Sequence, residues 1–161
     1  MSSSEENKAA VLSFFKAADQ FDIDGLLACW TDDAINHGRF SDDDPREKQI
    51  PQGKTGLRAV FENLHTAFPD RQNKIMDIFA DGDKVVCRLR ASGTHGGVPA
   101  MPVEGGPLLQ AIQPANRPYS IGQIHIFRME NGLIAEHWAA RDDLYLLEQL
   151  GGMTVPARKT A

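Results

Sequence analysis

The sequence is poor in cysteine. Its two cysteines, Cys29 and Cys87, lie far apart among apolar neighbours and form no CxxC or metal-binding spacing. We therefore predict that both are small buried hydrophobic residues, and not members of a disulfide or a metal site.

Long apolar runs are also absent. No run approaches the ~20 residues that a membrane-spanning helix needs. The N-terminal segment MSSSEENK lacks the apolar stretch of a signal peptide. Together with the scarcity of cysteine, these absences predict a protein of the reducing cytoplasm, with no membrane partner.

Clusters of basic residues are missing as well. The net charge is −5, and the acidic residues are scattered, being densest at Asp42-Asp43-Asp44. Without a basic patch, no nucleic-acid partner is expected. An apolar content of 42% and a charged content of 24% are ordinary for a globular protein. We expect one domain over residues 1–161, with an ordered core of about 5–151.

The spacing of apolar residues predicts four helices. An amphipathic helix is expected over roughly residues 5–20, followed by a short one capped by Asp22. A third is expected over about 55–67, where Pro69 stops it. The last one runs over 142–150, with Asp142 as its cap.

The remainder of the chain predicts β-structure. Strands are expected around 75–79 and over 85–92, joined by a hairpin turn at 81–83. Helices followed by a meander of strands indicate an α+β fold, a cone of N-terminal helices packed on a curved antiparallel sheet with a short C-terminal helix. Such a cone encloses a cavity. The loop over 93–118, rich in glycine and proline, is expected to be functional or disordered, and three of its residues are candidates for a lid: Leu108, Leu109 and Ile112.

Most residues whose side chains suit binding or catalysis lie in residues 119–143, which are predicted to form two strands joined at Glu130-Asn131-Gly132. Strand alternation places Gln123, His125 and Phe127 on one face of the first strand. This face is expected to form one wall of the cavity.

The register between these two strands depends on their turn. A two-residue turn at Asn131-Gly132 pairs His125 with Trp138, whereas a three-residue turn through Glu130 pairs it with His137. We favour the three-residue turn because it collects four residues on one surface: Gln123, His125, His137 and Ala139.

A glutamine and two histidines on one sheet face can polarise an oxygenated substrate and relay protons near neutral pH. The alternative is a hydrogen-bonded histidine pair within a polar core. Two histidines without a nearby third ligand do not predict a metal site. Motifs for a nucleophilic serine or cysteine are missing. Asn36 and His37 end a further predicted strand, where side chains often reach into a cleft.

Three stretches resemble the SnoaL-like polyketide cyclases of the nuclear-transport-factor-two-like superfamily. They are AFPD at 67–70, GDKVVCRLRASGTHGG at 82–97 and IHIFRMENGLIAEHWAARDDLYLLEQLG at 124–151. The resemblance implies the α+β cone, assembled as a homodimer or homotetramer through the sheet. It also implies an intramolecular aldol condensation of a hydrophobic, polyketide-like small molecule, without metal or other cofactor.

Motif matching places Gln123, His125 and His137 where the family has a pocket glutamine and two histidines, and Asn36 where it has an asparagine. The family's proton-transferring aspartate corresponds to Ala139 here. Loss of this acid leaves three possibilities: another base acts, the chemistry has changed to hydrolysis, isomerisation or dehydration, or the protein only binds its ligand.

We expect an enzyme carrying out cofactor-free acid/base chemistry, namely aldol cyclisation or isomerisation of a carbonyl-bearing molecule. His125 and His137 are the expected catalytic residues. The expected substrate-binding residues are Gln123, Asn36, His37, Phe127 and Trp138.

Overall fold

A computed structural model describes residues 3–38, 45, 50–103 and 106–154. The helices are α1 (Ser4–Asp19), α2 (Ile23–Ala28), α3 (Gly53–Ala67), α4 (Pro107–Gln110) and α5 (Asp143–Gln149). The strands are β1 (Trp30–Gly38), β2 (Gln72–Asp81), β3 (Lys84–Thr94), β4 (Pro118–Glu130) and β5 (Leu133–Arg141). The acidic cluster at 42–44 lies outside the described residues.

The predicted helices are confirmed, and their starts follow from local capping. Ser3 and Glu6 form a capping box at the start of α1, each satisfying the other's backbone N–H. The side chain of Asp22 accepts from the Gly25 N–H at 2.9 Å and caps α2. Asp142 accepts from the Tyr145 N–H at 3.1 Å and caps α5 in the same way.

The five strands form one sheet in the order β1-β5-β4-β3-β2. Strands β2 to β5 are antiparallel neighbours. Strand β1 lies at the edge and pairs parallel with β5. The sequence analysis did not predict this parallel pairing, because side-chain alternation carries no information on strand direction.

The β4–β5 hairpin differs from the predicted one in its turn. Glu130 faces Leu133 across a two-residue turn, and both turn residues, Asn131 and Gly132, have positive φ. The expected three-residue turn is therefore wrong. A β-bulge at Ala135 inserts one extra residue into β5 and shifts the register by one. Through this bulge, and not through the turn, the inner faces of the two strands come into register.

The register beyond the bulge defines the inner surface of the hairpin. His125 of β4 faces Ala139 of β5, Phe127 faces His137, and Gln123 faces Arg141. The two histidines are thus diagonal neighbours on one face. The expectation that they share a surface with Gln123 and Ala139 is confirmed.

The hydrophobic core lies between the helices and this inner face. Phe14 of α1 packs edge-on against Trp30 and Phe127, with ring centroids 5.6 and 5.8 Å apart. Trp30 and Phe127 are fully buried. Each such side chain contributes roughly 1.5–3 kcal/mol by leaving water.

Two of the sequence stretches that resemble the cyclase family meet in space. The Asp70 carboxylate, at the end of AFPD, accepts from the Thr94 N–H at 2.7 Å and from the Thr94 hydroxyl at 3.0 Å. The Gly96 N–H donates to the Ala67 carbonyl at 2.9 Å. These bonds tie the end of α3 to the end of β3 and close one end of the cone.

Both cysteines are free; Cys87 is buried and Cys29 half-buried. Burial raises the pKa of the Cys87 thiol to about 11, with a smaller contribution from Asp77. Cys87 is therefore a protonated core residue at neutral pH, as its apolar neighbours predicted. In the described part of the chain, no helix combines the length and apolarity needed to cross a membrane.

Candidate active site

A cavity of about 350 Å³ opens between the helices and the inner face of the sheet. Most of its wall is apolar, and a cavity of this size holds a drug-sized molecule. The apolar lining includes Phe14, Phe15, Phe61, Leu64 and Val103. The polar lining includes Asn36, Arg71, Asn73, His125, His137 and Arg141.

The polar side chains at the sheet end of the cavity form one hydrogen-bonded chain. Arg71 Nη2 donates to Gln123 Oε1 at 3.3 Å, and His125 Nε2 lies 2.8 Å from the same oxygen. His125 Nδ1 lies 2.8 Å from His137 Nε2. His137 Nδ1 lies 2.9 Å from Asn36 Oδ1. The two imidazoles therefore contact each other, and each also contacts one amide oxygen.

The orientation of the Asn36 side chain is held by neighbouring backbone groups. The Gly38 N–H donates to Asn36 Oδ1 at 3.1 Å. The side chain of Gln52 bonds both the N–H and the carbonyl of Asn36, at 2.7 and 3.2 Å. Strand β1 therefore presents the Asn36 oxygen to His137 in a fixed position.

The partners of the two histidines assign their protons. Both end groups, Gln123 Oε1 and Asn36 Oδ1, are acceptors, and a neutral pair has two ring protons for three contacts. In the tautomer that keeps the bond to Gln123, His125 Nε2 carries a proton and donates to its Oε1. In a neutral pair, His125 Nδ1 then accepts from His137 Nε2. This leaves His137 Nδ1 without a proton, facing the oxygen of Asn36. In the neutral pair, His137 Nδ1 is thus the one unprotonated ring nitrogen that accepts no hydrogen bond. Once it is protonated, it can donate a hydrogen bond to Asn36 Oδ1.

Two opposing effects act on the pKa of this pair. Burial, followed by the positive charges of Arg71 and Arg141, lowers the pKa of His125 to about 3. Burial, then His125, Arg141 and His37, hold the pKa of His137 well below its usual range. The Asn36 oxygen acts in the other direction because it bonds only the protonated form of His137 Nδ1. The resting pair is neutral at pH 7.

Arg71 is anchored from the helical side of the cavity. Its Nη2 also donates to Asn73 Oδ1 at 3.1 Å, and Asn73 is held by two bonds to Asp19 Oδ1, at 2.7 and 2.9 Å. Burial raises the pKa of Asp19, an effect opposed by its bonds to Asn73 and by the charge of Arg71. The end of α1 thereby positions the guanidinium that orients Gln123.

Arg71 and Arg141 are site residues that the sequence analysis did not predict. Arg141 had a usable signal, since alternation from His137 through Ala139 puts it on the same face. Arg71 follows the Pro69 helix stop and carries no periodic signal. Only the tertiary structure brings it to Gln123.

Ala139 lies at the centre of the polar cluster. It faces His125 across the hairpin and stands between His137 and Arg141 on the inner face of β5. Its side chain is buried. A methyl group therefore occupies the middle of a surface otherwise built of hydrogen-bonding side chains.

The other predicted site residues are distributed on both sides of the sheet. Gln123 lies directly behind His125, while Asn36 lines the cavity beside His137. Phe127 is fully buried between Phe14 and Phe15 and is absent from the cavity lining. It packs against His125 and His137 instead of facing the cavity.

His37 and Trp138 are also absent from the cavity lining. Their rings stack 4.5 Å apart, and His37 Nε2 lies 3.0 Å from Glu136 Oε2. Trp138 faces Ile126 on the outer face of the hairpin. Strand alternation puts these residues opposite to the cavity, so we do not include them in the site.

Among the described residues no group of three histidine, cysteine or acidic side chains is arranged to hold a metal ion. The donors around His125 and His137 are amides and guanidinium groups, which suit oxygen atoms of an organic ligand better than a metal.

The curved sheet covered by N-terminal helices has the same fold as an NTF2-like protein from Burkholderia pseudomallei, which is 15% identical with a TM-score of 0.66, covering 93% of this chain and 98% of that chain. The chain belongs to the SnoaL-like polyketide cyclase family, whose model matches residues 9–150. No curated protein sequence matches the chain significantly.

Solved structures agree with this fold. TsrD from Streptomyces laurentii is 25% identical with a TM-score of 0.75, covering 95% of this chain and 100% of that chain. IdmH, "a putative polyketide cyclase from Streptomyces antibioticus", is 27% identical with a TM-score of 0.67, covering 90% and 98%. AclR from Streptomyces galilaeus, 24% identical with a TM-score of 0.73, covers 96% and 87% and shows similarity of fold alone.

Proposed function

We propose that this protein catalyses cofactor-free proton transfer at the carbon next to a carbonyl group of a hydrophobic, polyketide-like molecule, leading to aldol cyclisation or isomerisation. The observation that carries the proposal is the His125–His137 pair, which in its neutral form leaves His137 Nδ1 unprotonated at the cavity wall. Membership of the cyclase family supports the same class of substrate.

In the proposed reaction, the Asn36 side chain turns aside from His137 Nδ1, and this nitrogen then removes a proton from the α-carbon of the substrate. The electron pair of the broken C–H bond forms the C=C bond of an enolate, and the carbonyl oxygen gains the negative charge. Asn36 Nδ2 can donate to that oxygen, since Asn36 lines the cavity and uses only its Oδ1 in the contacts with Gly38 and His137.

The enolate then has two fates. In a cyclisation, its carbon attacks a second carbonyl of the same molecule, and the new alkoxide takes a proton from the imidazolium. In an isomerisation, the imidazolium returns the proton to a different carbon. General acid–base catalysis of this kind contributes about 10²–10⁴ in rate.

The imidazole pair supplies the base that Ala139 cannot. When His137 Nδ1 takes up a proton, it can donate a hydrogen bond to Asn36 Oδ1, and His125 remains bonded to Gln123. Protonation thus completes the hydrogen-bond chain. This gain offsets part of the cost of charging a buried imidazole beside two arginines.

Exchange of α-protons tests the proposal without knowledge of the natural substrate. We would incubate 2-tetralone in D₂O with the protein and follow deuterium uptake by mass spectrometry. The wild-type protein should accelerate exchange over buffer, and His137→Ala and His125→Ala should abolish the acceleration while remaining folded. His95→Gln is the matched control, because His95 is a buried histidine outside the cavity lining. Equal exchange by wild type and both site variants would refute the proposal.

Ala139 favours a second candidate, a ligand-binding protein without turnover. It predicts saturable binding of an aromatic or polyketide ligand that is recovered unchanged. Any catalysed exchange or conversion of a bound ligand would rule this candidate out.

We further expect the protein to act without metal or other cofactor, in the cytoplasm, as a homodimer or homotetramer assembled through the sheet. Exposed apolar side chains on the outer face support the assembly. Ile124 and Ile126 lie on β4, and Met76 and Phe79 lie on β2. All four side chains are exposed.

A further inference from the structure

Arg141 is a cation at the cavity wall with few partners. Its Nε lies 3.5 Å from Asp143 Oδ1, too poorly placed to count as a hydrogen bond, and Arg141 forms no hydrogen bond within the described residues. The side chain is 13% exposed. A largely buried guanidinium whose donors are unused is costly unless a ligand bonds it.

Ala139 explains why these donors are unused. The inner face of β5 carries His137, Ala139 and Arg141 in succession, and Ala139 faces His125. The cyclase family, by motif, has its aspartate at the position of Ala139. An alanine methyl cannot reach the guanidinium two residues away, so among the described residues the only carboxylate paired with Arg141 is that of Asp143, 3.5 Å from its Nε.

The charged side chains in the described lining of the cavity are all basic. It contains Arg71 and Arg141 together with histidines, and no aspartate or glutamate. Both arginines act on His125, lowering its pKa beyond the effect of burial. In an apolar, partly enclosed cavity such a potential is focused and attracts an anion.

We infer that the ligand of this pocket is a carboxylic acid, whose carboxylate binds the terminal nitrogens of Arg141 at the cavity wall. The guanidinium fork matches a carboxylate, with two parallel N–H···O bonds. The rest of the molecule lies against Phe14, Phe15 and Phe61, and a volume of about 350 Å³ accommodates a body of about two rings.

This inference rests on the proposed function, which identifies the ketone as the part of the ligand that reacts. With its carboxylate at Arg141, the ligand is held at one end, and its ketone lies toward Asn36 and His137 farther along the same wall. The ligand would thus provide the carboxylate that the chain lacks, in a positioning role.

Direct binding measurements test this inference independently of turnover. Calorimetric titration would compare 2-naphthylacetic acid with 2-naphthylacetamide, its neutral isostere, at pH 7. The wild-type protein should bind the acid about tenfold or more tightly than the amide, in line with a charge-assisted bond. Arg141→Gln should remove the preference, chiefly by lowering the affinity for the acid.

Arg90→Gln provides the matched control. It removes the same charge from an exposed arginine of β3, outside the cavity lining, and should retain the preference for the acid. Ala139→Asp is a second, independent variant: its carboxylate should pair with Arg141 and weaken binding of the acid alone. Equal binding of acid and amide by the wild type, binding of neither, or an unchanged preference in Arg141→Gln would overturn the inference.

The two proposals fail separately. A preference for the acid without any α-proton exchange would leave the carboxylate site standing and remove the catalytic proposal. Catalysed exchange of 2-tetralone with no preference for the acid would do the reverse.

Discussion

The His125 and His137 rings share a hydrogen bond of 2.8 Å, although neither residue faces the other across the hairpin. Their diagonal relationship arises because His125 faces Ala139 and His137 faces Phe127. The small side chain of Ala139 leaves the two imidazoles in direct contact. Ala139 and the histidine pair are therefore features of one surface.

The first prediction concerns stability in acid. His125 is buried and His137 half-buried, and the folded-state pKa values of both lie below the unfolded value of about 6.5. Between pH 6.5 and about 3, the unfolded chain therefore binds more protons, so the free energy of unfolding falls as pH falls. Each imidazole contributes a slope of up to about 1.4 kcal/mol per pH unit.

Urea unfolding at pH 7, 6, 5 and 4 measures this slope, with His125→Gln as the comparison. The variant should lose less stability than the wild type over the same range, because glutamine does not titrate. Parallel curves for the two proteins would show that His125 is not buried neutral. NMR titration of the imidazole resonances gives an independent reading.

The second prediction concerns the position of the missing acid. Ala139→Asp places a carboxylate beside His125 and Arg141, and the guanidinium should keep it ionised at neutral pH. We expect α-proton exchange to rise, by up to about 10²-fold if the carboxylate takes over as base. No gain in a folded variant would mean that more than this one side chain separates the pocket from its relatives.

The third prediction concerns Asn36. In Asn36→Asp, a carboxylate faces His137 Nδ1 and favours the protonated imidazole, so the pKa of His137 should rise. A preprotonated His137 cannot act as base, and exchange near neutral pH should fall at least about tenfold, as loss of a general base implies. Asn36→Ala should instead leave the pKa of His137 low. The pH dependence of exchange, measured for both variants, distinguishes charge from mere disruption.

The fourth prediction concerns the core that supports the pair. Phe127 is fully buried and stacks on His137 with centroids 4.9 Å apart. Phe127→Ala should lower the free energy of unfolding by about 3–5 kcal/mol. Leu144→Ala is the control: Leu144 of α5 is 62% exposed, and the change should stay within about 0.5 kcal/mol. Denaturant unfolding monitored by circular dichroism measures both values.

The fifth prediction concerns assembly. Ile124 and Ile126 are exposed on the outer face of β4, at 45% and 39%. If a second copy covers this face, lysine at either position should shift the protein to a monomer in light-scattering measurements, without loss of secondary structure. A wild-type protein that is already monomeric would contradict the assembly expected from the family.

Much of the fold could be predicted from local patterns. The caps Asp22 and Asp142 mark helix starts because their side chains bond backbone groups only three residues away. Alternation in β4 correctly sorted Gln123 and His125 onto the buried face, since the period of a strand is two. These features depend on neighbours in sequence, which a single chain displays.

The features that failed or were missed depend on longer distances. The favoured three-residue turn through Glu130 was wrong, because the bulge at Ala135, which brings the two histidines onto one face, leaves no clear signal in the sequence. Trp138, one of the expected binding residues, is a local exception, since alternation within β5 itself turns it to the face opposite His137.

By itself, the sequence determined the helix starts, the inward face of β4 and the absence of an acid at Ala139, because each of these is a property of residues close together in the chain. Only the tertiary structure decided that Arg71 orients Gln123, that Asn36 of β1 meets His137 of β5, and that Arg141 reaches the cavity. Those relationships join residues that are far apart in sequence, and these residues come together only when the sheet packs on the core.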